Sequence, residues 1–311
     1  EQDDAGVRVV IERDGVREVL AGDYVVGCDG GHSLVREQCD IPRSGTDWDE
    51  LVALVVFGSP ELHRALSRFP DRSTYRVMHP DLRGYWMFFG RVDVGAEFFF
   101  HAPVPRDTAL DAEAVGALLH RAAGFAFEHT VHHVGTWDLR VQVAHRYRAG
   151  RAFIAGDAAH THPPYGGFGL NNGLEDAANL GWKLAAVLQG WGGEPLLDSY
   201  SRERQPVFRD VGEDIIGGWI RDDREFLRAW RPTTPGFAER FAEVAGGFGR
   251  RLRGFEPHYE GSPVVLGPPG AVCSAHGEHT FLAKAASERT KASRHSCTIC
   301  MVHFAILGMS I

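Results

Sequence analysis

No run of uncharged apolar residues in this chain approaches the roughly 18 needed to cross a bilayer, so no helical membrane span is predicted. The first residues carry no basic cluster followed by an apolar core, so no secretory signal is predicted either. There is no long basic run, and the formal net charge is −8, which argues against nucleic acid or an anionic membrane as the main partner. Five cysteines form no framework spacing. They point to reduced thiols and a cytoplasmic location. No metal site is predicted. His129, His132 and His133 lack a convergent carboxylate or cysteine pattern, and Cys297 and Cys300, with His295 and His303, are too compressed and have no second cysteine pair. What remains is an ordinary globular composition, 44% hydrophobic and 24% charged, in 311 residues, enough for one large domain or two.

The most informative stretch runs from Gly150 to Gln189. Ala152–Ala155 is an apolar run of buried-strand length. It ends at Gly156-Asp157, which puts a carboxylate beyond the strand. A loop rich in proline and glycine follows, His162 to Gly169, and a helix is predicted from near Leu170. Ala177, Leu180, Gly181, Leu184 and Leu188 share helical spacing and are expected to form one apolar face. A strand, a glycine loop and a helix N-terminus present free amides and a favourable dipole to a polar ligand. No Lys-Ser/Thr follows the glycines, so this is not a nucleotide P-loop. Asp157 suits hydroxyls rather than phosphate. The pattern fits a ligand with sugar-like hydroxyls at one end and an electron-rich carbonyl or ring at the helix end.

Earlier in the chain, Val7–Ile11 and Val16–Leu20 flank an Asp14-Gly15 turn and read as a hairpin. Tyr24–Cys28 reads as a buried strand, Cys28 being taken as a small core residue. It runs into Asp29-Gly30-Gly31-His32-Ser33-Leu34-Val35-Arg36, where Ser33 can cap a helix.

Gly156-Asp157-Ala158-Ala159-His160, Pro163-Pro164 and Gly166-Gly167-Phe168-Gly169-Leu170-Asn171 resemble the second flavin motif of the FAD-dependent aromatic hydroxylases of the p-hydroxybenzoate hydroxylase type. Asp29, Gly30, Ser33, Val35 and Arg36 match that family's Asp-Gly motif, and Tyr200–Pro206 matches its Tyr-x-x-Glu-Arg-x-Pro ending, read here as structural. The resemblance implies that Asp157 holds the ribityl hydroxyls, that the amides of Gly169, Leu170 and Asn171 face the flavin pyrimidine edge, and that Pro164 lies beside the ring, with Gly156 and Gly167 also among the cofactor-binding residues. It also implies that Asp29, Gly30 and Arg36 serve FAD and the incoming NADH or NADPH. The family's first fingerprint, Gly-x-Gly-x-x-Gly after a strand, is not found near the start. The expectation is therefore an N-terminally truncated chain whose independent FAD binding is in question.

The implied fold is α/β (α+β): a Rossmann-like FAD-binding domain lacking its first βαβ unit, an inserted antiparallel-sheet substrate domain, and a helical C-terminal part. The expected division is 1–38 and 139–230 for the FAD-binding parts, 39–138 for the substrate sheet, 231–280 for a helical and loop region, and 281–311 for an atypical tail. Strand-like runs are Leu51–Phe57, Ser73–Met78, Tyr85–Val92, Glu97–His101 and Thr130–Trp137, with a helix near Asp111–Ala122. Pro195–Tyr200 reads as a turn. Val207–Trp230 reads as a helix interrupted at Gly217-Gly218, and Phe237–Phe248 as a further one. The implied reaction is hydroxylation of a phenolic or aromatic substrate by O2, through a flavin C4a-hydroperoxide. Tyr75, His79, Tyr85 and His101 are available as a base or relay, and their spacing selects none of them. A homodimer is left open. The alternatives are a non-catalytic fragment or pseudoenzyme unable to hold FAD alone, and an FAD epoxidase or Baeyer–Villiger-type relative.

Overall fold

A computed structural model describes residues 1–69, 72–77, 87–93, 95–164, 167–231, 233–244, 259 and 262–264. The chain divides into two compact units. Unit 1 takes Glu1–Gly45, Val141–Asp214 and the described residues after 253; unit 2 takes Thr46–Arg140 and 215–244.

Unit 1 opens with β1 (Gln2–Asp3), β2 (Gly6–Arg13) and β3 (Val16–Gly22), a three-stranded antiparallel sheet. Arg13 pairs with Val16 around Asp14 and Gly15, both at positive φ (52° and 75°), the backbone signature of a tight two-residue hairpin. Strand β4 (Val25–Gly27) leads to the short helix α1 (Leu34–Gln38). Ser33 Oγ accepts from the Arg36 amide at 3.0 Å, the predicted cap. Cys28, expected in the core, is exposed.

In unit 2, β5 (Arg43–Gly58, entering from unit 1) is followed by α2 (Pro60–Leu66), β6 (Thr74–Val77), β7 (Met87–Arg91), β8 (Glu97–Val104), α3 (Ala112–Ala123) and β9 (Thr130–Ala144). The sheet order is β9-β5-β8-β7-β6. The β5–β8, β8–β7 and β7–β6 pairs are all antiparallel. Alternation divides the two faces. Val55, Phe57, Phe89, Phe98, Phe100 and Ala102 join Val115 and Leu119 of α3, together with Phe226, Leu227 and Phe237, in one buried core. Leu54, Phe88, Phe99 and His101 point to the other face.

Back in unit 1, β10 (Arg148–Ala149) pairs antiparallel with β11 (Ala152–Ile154), and β11 lies parallel to β4, Ala152 opposite Val25 and Ile154 opposite Gly27. Short β12 (His160–Thr161) pairs with Gln142 and Val143. Helices α4 (Phe168–Leu188) and α5 (Glu194–Arg209) pack together. Pro195–Tyr200 is helical rather than a turn, because Pro195 sits in the first turn of α5, where its missing N–H costs nothing. The break predicted at Gly217-Gly218 is also absent. A π-helical turn, Asp210–Ile216, carries the chain directly into α6 (Gly217–Ala229), and both glycines are buried. Met78, His79, Pro80–Trp86 and everything from 265 onward, including the 281–311 tail, lie outside the described residues.

His101 sets an acid limit on unit 2. Burial alone depresses its pKa from 6.5 to about 4. Above pH 6.5 the ring is neutral whether folded or unfolded. As pH falls from 6.5 to 4 the unfolded chain takes up a proton that the folded chain refuses, so stability is lost across that window, by roughly 3 kcal/mol at its end. Urea unfolding between pH 7 and 4 should show a decline that is smaller in His101→Leu.

Candidate functional site

The carboxyl ends of β4 and β11 lie side by side, and the loops that leave them carry the two motifs. In parallel sheets this is where ligands collect. After β4, Asp29 Oδ2 accepts from the Val35 amide at 3.1 Å, while Oδ1 is buried with no hydrogen-bond partner. Gly30 follows with φ 79°. Arg36 is 5% exposed, and its guanidinium donates to the carbonyls of Gly31 and Ala158, both at 3.1 Å. Its position in the fold therefore ties one motif loop to the other, with Nη1 committed to main chain.

After β11, Gly156 adopts φ 58° and comes close to Gly173 on α4. A side chain at Gly156 would be strained by that φ, which explains the glycine. The next residue, Asp157, is exposed, and its carboxylate makes no hydrogen bond within the described residues. Pro163 is buried and Pro164 exposed. Gly167 caps α4 with φ 72° and no side-chain hydrogen bond, leaving the first-turn amides available. Asn171 is exposed and donates to the Gly167 carbonyl at 2.9 Å. Gly169 lies in the same turn, and Leu170 is 75% exposed. The structure thus brings Gly156, Asp157, Gly167, Gly169, Leu170 and Asn171 to one end of unit 1, with an anionic acceptor on one side and the positive end of a 21-residue helix on the other.

What holds these parts was not legible. The buried face of α4 is not the predicted apolar stripe: Ala177 and Leu188 are exposed, and Asn172, Asp176, Asn179 and Lys183 are buried beside Leu180 and Leu184. Asp176, wholly buried, accepts from the Gly156 amide at 3.0 Å and from His160 Nε2 at 2.7 Å through one oxygen, and from Arg204 Nε at 2.8 Å through the other. Burial raises its pKa, but His160 and then Arg204 outweigh that and hold the carboxylate below its usual range. Arg204 also reaches Glu175 at 2.8 Å. One turn along, Glu203 accepts from Lys183 at 2.5 Å, Asn179 at 2.6 Å and Ser262 at 2.5 Å. Burial lowers Lys183 to about 8, with Glu203 opposing the shift. Tyr200 donates to the Ile154 carbonyl at 2.9 Å. The Tyr-Ser-Arg-Glu-Arg run of α5 is therefore the brace of the site. The signal that could have revealed this was the helical spacing of polar residues, Asn172, Asp176, Asn179 and Lys183 at i, i+4, i+7 and i+11 of α4.

Of the bases considered, Tyr75 is used structurally, donating to the Arg72 carbonyl and accepting from Arg91. His79 and Tyr85 lie outside the described residues. Among the described residues no three metal-ligating side chains converge.

The ligand that these residues suit carries several hydroxyls for Asp157 and an electron-rich carbonyl edge for the α4 amides. The ribityl chain and pyrimidine edge of FAD have both. Residues 1–214 match the family model described as FAD binding domain. The chain is 42% identical over 195 residues to a dialkyldecalin synthase of Streptomyces rugosporus, covering 60% of this chain and 40% of that protein. It is 39% identical over 218 residues to a putative polyketide hydroxylase of Streptomyces halstedii, covering 67% and 38%. Among solved structures, the flavin-dependent monooxygenase PieE in complex with FAD and substrate superposes with a TM-score of 0.67 at 27% identity, over 90% of this chain and 52% of that one. The chain thus spans about 40% of the length of these curated relatives.

Removing Asp176 leaves Arg204 and the Gly156 amide buried without their acceptor. Asp176→Ala should therefore lower the unfolding free energy by about 3–5 kcal/mol in urea titration, whereas Asp157→Ala, at an exposed position, should change it little.

Proposed function

This chain belongs to the FAD binding domain family, and from that premise we propose that it serves an FAD-dependent monooxygenase hydroxylating an aromatic substrate with O2, with NADH or NADPH as reductant. The observation that carries the reading is the pairing of an exposed, uncommitted Asp157 with the uncapped start of α4 across the Gly156 turn. When bound, FAD supplies hydride acceptance and oxygen activation; the chain supplies placement and electrostatics. Asp157 accepts from the ribityl hydroxyls. The amides of Gly169, Leu170 and Asn171 face the pyrimidine edge, where the helix dipole favours the negative charge of the reduced ring. Gly156 and Gly167 give the backbone its close approach, and Pro164 sits at the ring. Asp29 and Gly30 present a second polar loop, whose buried Oδ1 lacks a partner and suits a donor from the cofactor or the nicotinamide nucleotide. Arg36 contributes by fastening that loop to Ala158.

A second reading has one specific support: the relative at 42% identity is named a synthase rather than an oxygenase. In that reading flavin is held without oxygen transfer to substrate.

Titration of the protein with FAD, followed by flavin fluorescence and absorbance, tests the binding. Losing charge-assisted hydrogen bonds at Asp157 should weaken binding by about tenfold or more in Asp157→Ala, with the melting temperature unchanged. Equal affinity in both proteins would overturn the assignment of Asp157. Oxidation of NADH or NADPH coupled to oxygen uptake, stimulated by an aromatic compound and yielding a hydroxylated product, separates the oxygenase from the flavin-holding alternative.

A further inference from the structure

We propose that His162 holds the charge-balancing proton of the flavin site. Its Nε2 takes up one proton from solvent when hydride from NADH or NADPH adds negative charge beside the first turn of α4. This deepens the function proposed above and rests on it for the cofactor. His162 acts through its charge, as a positioning residue.

His162 directly follows β12 and meets both α4 and α5. Its Nδ1 lies 2.5 Å from the Pro163 carbonyl oxygen. A carbonyl can only accept, so Nδ1 carries the hydrogen and Nε2 is left with a lone pair. Nε2 is buried and has no hydrogen-bond partner among the described residues. Buried polar atoms are almost always paired, and exceptions call for an explanation. The Nε2 edge stands against the first turn of α4: a Cβ built on Gly169 would lie 3.8 Å from Nε2 and 3.9 Å from Cε1. The flat face of the imidazole stacks on Phe208 of α5, with ring centres 5.5 Å apart and planes inclined at 23°.

The neighbours of the ring decide when it is charged. Burial, the largest influence, holds it below its ordinary 6.5, and His160 adds to that; the Pro163 carbonyl and the Asp157 carboxylate oppose the shift. His160 and Asp157 are the titratable groups that act on it, while α4 presents Gly169 and α5 the Phe208 ring. At pH 7 the imidazole is therefore neutral. The charged form is nonetheless provided for. A second hydrogen on Nε2 leaves the Nδ1 bond to Pro163 intact, and an aromatic face such as that of Phe208 attracts a cation. The missing element is negative charge at the Nε2 edge. FAD, when bound, accepts the hydride and brings that charge to the start of α4, where the helix dipole also favours it. Hydride carries two electrons and one proton, so the proton that reaches Nε2 comes from water. An opposite charge beside a base raises its affinity for protons, and the imidazolium in turn favours the anion.

The test uses the full chain loaded with FAD. Nitrogen NMR of histidine-labelled protein follows the Nε2 titration, with His162 assigned by its loss in His162→Asn. The midpoint should lie below 6.5 with oxidised FAD and rise by about one pH unit or more after reduction with dithionite. The flavin midpoint potential, measured from about pH 6 to about pH 8, should fall by about 60 mV per pH unit, against about 30 mV in His162→Asn. Each proton taken up with two electrons changes the equilibrium tenfold per pH unit, which is about 30 mV. Asparagine keeps a donor for the Pro163 carbonyl and removes only Nε2. His162→Gln, which puts a neutral amide where Nε2 stood, should give the same slope as His162→Asn, so the result does not hang on the folding of one variant. A merely structural histidine would leave the slope at about 30 mV in all three proteins. An Nε2 midpoint unmoved by reduction, or equal slopes in the wild-type protein and the variants, overturns the proposal. FAD titration of the same samples separates the readings: FAD held beside an unresponsive His162 removes only this inference, and failure of the wild-type protein to bind FAD removes the proposed function and this inference with it.

Discussion

The constraint on which unit 1 depends is the burial of Asp176. A carboxylate with no solvent exposure must be answered on all sides, and here its partners are a main-chain amide, a histidine and an arginine. Each partner comes from a different place: Gly156 from the end of β11, His160 from β12, and Arg204 from α5. One side chain on α4 therefore ties the helix to the strand end, the following loop and the neighbouring helix. The second cluster, Lys183, Asn179 and Ser262 around Glu203, repeats the device one turn along. Such networks are weak sources of net stability but strict about geometry, since any displacement leaves a charge unpaired in low dielectric.

That strictness is what a ligand site requires. Asp176 takes the Gly156 amide, and the adjoining Asp157 faces solvent with no hydrogen bond among the described residues. Gly167 caps α4 without a side-chain hydrogen bond. Within the brace both oxygens of Asp176 and both of Glu203 are engaged. Arg36 does the same for the other loop, spending its Nη1 on two carbonyls so that the Asp29-Gly30 turn is held without being filled.

Unit 2 shows the opposite economy. Its strands alternate, and the core face joins apolar side chains of the sheet to those of α3 and α6, with Arg91 laid over the Phe98 ring. On the other face, strand alternation would ordinarily place solvated polar residues. Instead it carries aromatic rings and an imidazole held neutral by its surroundings.

The sequence alone determined a good deal. The Asp14-Gly15 hairpin, the Ser33 cap, helix α3 after Asp111, and the strand–glycine–helix order from Ala152 to Leu188 all follow from local chemistry: turn residues, caps and periodicity act over a few positions and are visible within them. The Gly156 and Gly167 turns could be read for the same reason, since both adopt positive φ, a main-chain geometry that few residues allow. The tertiary structure alone decided which face of α4 is buried, that Arg36 fastens one loop to the other, that Pro195 opens a helix rather than a turn, and that His101 is buried among aromatic rings. The physical reason is that a charge pattern does not say whether its partners will be water or other side chains. Asp176 and Arg204 stand 28 positions apart, and helical spacing reads Asp176, Asn179 and Lys183 as a solvated stripe until α5 brings Glu203 and Arg204 against it.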